Sequence, residues 1–113
     1  MGQNVWVKSG HVRNLFSGDG VIVTGAGSFL YKDSPYSTFQ ATVSGTGAVS
    51  ATVTIEYSND GTNVCSTVAG TIALSGTTSN TDGFTSTAPW KYVRANVTAI
   101  SGTDATVQVY MGV

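Results

Sequence analysis

Residues Val49 to Gly61 read VSATVTIEYSNDG. Val49, Ala51, Val53, Ile55 and Tyr57 take every second position, with Ser50, Thr52, Thr54 and Glu56 between them. A period of two puts one face in a core and the other in water, which is a half-buried β-strand. Val49, Thr52, Val53, Thr54 and Ile55 are β-branched and suit a pleated surface. Asn59-Asp60-Gly61 follows, a turn signal whose residues tolerate positive φ.

Outward from that strand the same grammar recurs. Phe39, Ala41 and Val43 alternate with Thr38, Gln40 and Thr42, and Gly45-Thr46-Gly47 links them to the strand above as a predicted hairpin. Val93, Ala95, Val97 and Ala99 alternate with Tyr92, Arg94, Asn96 and Thr98. After Ser101-Gly102-Thr103-Asp104, the residues Ala105, Val107, Val109 and Met111 form the second arm of another predicted hairpin. Val21–Thr24, Val64–Val68 and Gly70–Leu74 are shorter strand candidates, and the polar run Ser75–Ser86 reads as a long loop. No ten-residue window shows a helical period. The expectation is an all-β, antiparallel two-sheet β-sandwich, jelly-roll-like, of about eight strands with little or no helix. Residues 1–20 form an irregular N-terminal arm or edge strand, and residues 21–113 a single domain. The predicted core is Phe39, Ala41, Val43, Val49, Ala51, Val53, Ile55, Val93, Ala95, Val97, Val107 and Val109, with Trp90 or Phe84 plugging one end.

Composition narrows the function. The chain has 113 residues, of which 10% are charged, and a net charge of -1. It carries 17 Thr, 13 Ser and 14 Gly. Scattered basic residues give no electrostatic case for nucleic acid. No apolar run approaches the ~20 residues of a membrane-spanning helix. The start, MGQNVWVKSG, lacks the apolar core of a secretion signal. Cys65 is the only cysteine, so no intrachain disulfide forms, and it is expected as a small buried hydrophobe.

Catalytic and metal chemistry find no foothold. His11 is the only histidine and has no ligand partner at metal spacing. The five aspartates, Asp19, Asp33, Asp60, Asp82 and Asp104, lie in turn contexts where they cap backbone N–H groups. Asn59–Asn63 lacks the alternating acids of a calcium loop. Neither an enzyme nor a cofactor is expected. The aromatics Trp6, Tyr31, Tyr36, Tyr92 and Tyr110 fall off the inward rows. Amphipathic rings on a nearly uncharged sheet suit an interface, and the candidate contact residues are Trp6, His11, Tyr92, Arg94 and Tyr110. Tyr92 and Tyr110 sit on the outer faces of the last two strands and, if paired, would lie near one another across that hairpin.

Two resemblances touch these residues. VTIEYSNDGTN, followed by APWKYVRANVT, resembles the discoidin-type carbohydrate-binding sandwiches, which would imply a glycan-binding module. STFQATVSGTGAVSATVTIEYSNDG, DGFTSTAPWKYVRANVTAIS and DATVQVYMGV together resemble small tailed-phage virion proteins, over roughly Ser37 to Val113. That resemblance implies a capsid decoration or cement protein, or else a tail or head-fibre component. It would act as a dimer or trimer bound to the major capsid protein on the virion surface after assembly in the host cytoplasm. In such a role the segment Asn4–Phe16 would add a strand to a neighbour's sheet edge.

Overall fold

The computed structural model describes residues 6–7, 12–16 and 20–113. Seven strand segments and no helix occur among them: β1 (Trp6–Val7), β2 (Val12–Asn14), β3 (Gly25–Ala26), β4 (Leu30–Lys32), β5 (Ser37–Ser58), β6 (Gly70–Ser86) and β7 (Tyr92–Gly112). They share one hydrogen-bonded sheet of order β1-β4-β7-β5-β6, with β2 and β3 also lying along β7. Every pairing is antiparallel except β1 with β4.

Three long strands replace the expected hairpins. Residues 37–58 form one strand of 22 residues, so Gly45-Thr46-Gly47 is a bend within β5 and not a reversal. Ser101–Asp104 likewise lies inside β7. Ser75–Ser86, expected as a loop, is most of β6. It is polar because β6 is an edge strand with much of its surface in water. Val64–Val68, expected as a strand, is irregular, and of Val21–Thr24 only Val21 pairs, through a single bridge to Val107.

The long strands cannot be straight. At about 3.3 Å per residue, 22 residues would reach ~70 Å, yet the longest extent of the molecule is 39 Å. The register of β5 slips between Ser44 and Ala48 against β6 and between Ser44 and Ser50 against β7. The left-handed residues Gly47 (φ 71°), Thr78 (φ 66°), Gly102 (φ 120°) and Asp104 (φ 56°) line up there across the three strands. This crease folds the sheet onto itself. The two ends of β6 meet as a result: a Cβ on Gly70 would stand 2.6 Å from Phe84 Cζ, although fourteen residues separate them.

One core fills the fold. All twelve predicted core residues are buried, and Leu15, Phe16, Leu30, Ile72, Leu74, Ala105 and Met111 join them. Phe84 packs half-buried on Phe39 with ring centroids 5.3 Å apart, while Trp90 stacks on Tyr57 at 4.5 Å. Ala99 departs from its expected inward row. The register slips at Thr52/Val53, where Val53 faces Val97 and Thr52 faces Ala99, so Thr98 is the extra residue and Ala99 turns outward. Cys65 is half-buried, since the segment around it is irregular.

The N-terminal segment runs along β7. Val12–Asn14 pair with Tyr110–Gly112, and Leu15 N–H donates to Val109 O at 2.8 Å. Gly25–Ala26 and Leu30–Tyr31 continue beside Asn96–Val97 and Tyr92–Val93. Val12–Phe16 therefore sit against their own sheet. Met1–Val5 and Lys8–His11 of the expected arm lie outside the described residues.

Candidate functional site

The outward row of β5 and β7 beyond the crease gathers most of the chemistry. Register sets Glu56 opposite Arg94, Ser58 opposite Tyr92 and Thr54 opposite Asn96, while β4 sets Tyr31 beside Tyr92. Directly opposed residues share a face of the sheet, so these side chains form one patch. Arg94 Nε donates to Glu56 Oε1 at 2.6 Å, and Asn96 Nδ2 donates to Glu56 Oε2 at 3.0 Å. Both carboxylate oxygens are thus engaged, and the Glu56 side chain keeps 13% of its surface exposed. The Arg94 guanidinium lies 4.8 Å from the Phe29 ring centroid, a cation–π contact. Tyr31 and Tyr92 meet edge to face at 5.4 Å. A carboxylate held by a guanidinium and an amide is fixed in position.

The neighbouring turn closes on itself. Ser58, 1% exposed, accepts the N–H groups of Asp60 and Gly61 at 3.1 Å through Oγ and donates to Asp60 Oδ1 at 2.7 Å. Asp60 also accepts from Asn63 Nδ2 and from the N–H groups of Thr62 and Asn63. Those bonds, with Asn63 foremost, hold its carboxyl well below the usual carboxylate range. Both carboxylate oxygens of Asp60 are spent on the chain's own donors. Gly61 (φ 74°) brings its Cα against Tyr92, whose ring atoms would be 3.3 Å from an added Cβ.

Lys32 follows Tyr31 on β4 and lies on the opposite, inward face of that strand. It is 2% exposed, and its Nζ donates to Ser34 O at 2.8 Å and Ala88 O at 2.9 Å. Burial, aided by the Lys91 charge, lowers its pKa below the ordinary lysine value.

A second feature lies at the other end of β5. An apolar groove of 320 Å³ runs between Val12, Tyr36, Thr85 and Val113. Val12 and Tyr36 are 70% and 67% exposed. Ser37 lines it as well, and its buried Oγ has no partner among the described residues.

Of the expected contact residues, Tyr92 and Arg94 fall together in the first patch. Tyr110 does not join them. It is half-buried near the end of β7, beyond the crease, opposite Gln40 and Asn14. The predicted approach of Tyr92 and Tyr110 fails because β7 is one bent strand. His11 and the Trp6 side chain lie outside the described residues. Sequence reasoning missed Glu56, Asn96 and Phe29 as members. The available signal was the single Glu of the chain, placed outward on a strand. Compared with protein-family models, curated proteins and solved structures, the chain matches none.

Proposed function

We propose that this chain is a non-enzymatic structural protein of a bacteriophage virion, a capsid decoration (cement) protein that binds and stabilises the shell of major capsid protein. Its folded-over sheet is read here as a two-layer β-sandwich. The observation that carries the reading is the rigid outward patch of Tyr31, Tyr92, Arg94 and Glu56, set in a surface dominated by hydroxyls. Pre-ordered aromatic and guanidinium groups lose little entropy on docking and are favoured at interface centres. The groove beside Tyr36 offers an apolar anchor for a shell side chain. Binding over joints between shell subunits would then hold neighbours together. The test is an icosahedral reconstruction of the particle encoded alongside this gene. Density for the chain on the outer shell is expected, and Tyr92→Ala should thin it. A particle that assembles without the chain, and never copurifies with it, overturns the reading.

A second reading, a glycan-binding module or fibre component, draws on aromatic planes beside polar groups at Trp90, Tyr92 and Arg94. The geometry favours it less, because Trp90 is stacked on Tyr57 and Arg94 is bound by Glu56 and Phe29. Binding on a glycan array would restore it.

A further inference from the structure

The outer side of β6 takes no other strand among the described residues. An open edge is a template for another chain, and proteins guard such edges with charges, prolines or short strands. Guards stand elsewhere on this sheet. Arg13 is exposed on β2, and Lys32 lies on β4, which β1 also covers. On β6 itself, Asp82 sits opposite buried Ala41, hence on the inward row, yet it is exposed at the edge. The other half of β6, Gly70-Thr71-Ile72-Ala73-Leu74-Ser75-Gly76, has no charge and no proline. No basic residue occurs anywhere from Asp33 to Trp90.

That unguarded stretch is a chemical palindrome about Ala73. Ile72 and Leu74 flank it and are buried, Thr71 and Ser75 come next and are exposed, and half-buried glycines close both ends. A two-fold axis through Ala73 would set Ile72 against Leu74 and Thr71 against Ser75 of a second copy. Inward side chains would meet inward ones and hydroxyls would meet hydroxyls. A register displaced by one residue would instead bring aliphatic against hydroxyl and the core face against the wet face. Isologous contacts require this self-complementarity.

We propose that the Gly70–Gly76 edge of β6 is a homodimer interface, with two copies of this chain pairing antiparallel about Ala73 to extend the sheet. The inference stands on the sheet alone and goes beyond the virion reading. Seven residues of edge give a weak, concentration-dependent dimer.

Sedimentation of the full chain over a range of concentrations tests it. A reversible monomer–dimer equilibrium is expected. Ala73→Lys sets two ammonium groups face to face at the axis and should weaken the dimer by about tenfold or more. Ala73 is exposed, so the variant should keep the wild-type far-UV spectrum. In a Cys65→Ser background, Ala73→Cys should form a disulfide-linked dimer on mild oxidation, and Thr85→Cys, on the Asp82-guarded half, should not. A chain that stays monomeric throughout overturns the proposal. So does an oligomer indifferent to Ala73→Lys, or cross-linking at position 85 in place of 73. Capsid occupancy of the Ala73→Lys variant reads the virion proposal separately.

Discussion

Ser58 holds more of the site than its size suggests. Its buried hydroxyl accepts two backbone N–H groups and orients Asp60, and the turn it shapes lies under the Tyr92 ring. Ser58→Ala leaves those two donors without their acceptor and should cost about 1–3 kcal/mol in chemical denaturation, with Tyr92 losing its fixed position. Lys32 acts through its charge. Its folded pKa lies below 10.5, so over the window beneath 10.5 the unfolded chain binds more protons than the native one. Native stability therefore gains as pH rises through that window. Denaturation of wild type and Lys32→Met in parallel should show the difference moving in favour of wild type as pH approaches 10.5, and a pH-independent difference would refute the assignment. Neither residue could be singled out from sequence, because Ser58 reads as one hydroxyl among many and Lys32 as an ordinary surface lysine.

At the scale of the element, side-chain alternation is locally encoded and chain direction is not. Phe39 to Val43, Val49 to Ile55, Val93 to Val97 and Ala105 to Val109 reveal their inward residues by parity, which is why the predicted core coincides with buried positions. Gly45-Thr46-Gly47 carries the same glycines whether the chain reverses or bends, and only the pairing of Thr46 with Thr103 and of Ala48 with Thr77 on the flanking strands distinguishes the two. The Glu56–Arg94 contact was hidden for the same reason, since it depends on a register spanning 38 residues. Ser75–Ser86 misled because an edge strand needs few apolar residues. The crease also contains a misfit. Thr78 is β-branched yet sits at φ 66°, a conformation that costs an L-residue about 1–2 kcal/mol. Thr78→Gly or Thr78→Asn should raise stability by up to about 1 kcal/mol. A fall in the denaturation midpoint would show that the threonine hydroxyl contributes more than the backbone strain removes.

For the whole molecule, the decisive property is that β5, β6 and β7 each pass through the crease. Both halves are built on the same three long strands, so neither can melt and leave the other intact. Trp90 fluorescence on one side and a probe near Tyr110 on the other should report a single coincident transition. Ile55→Ala should lower both readouts together by roughly 2–5 kcal/mol. Two separated transitions would mean that the halves fold as independent units. Strand partners far apart in sequence also place this chain among slow, millisecond-to-second folders.

Exposed residues Ser101 to Asp104 form the crease of β7, and the ten residues from Asp104 onward supply Ala105, Val107, Val109 and Met111 to the interior. A peptide bond cleaved there would sever the backbone without releasing the tail, which stays clamped between β5 and the β2 segment. Purified separately, the two fragments should be soft and incomplete, and on mixing they should reassemble, so the bend is also a natural place to split this molecule in two.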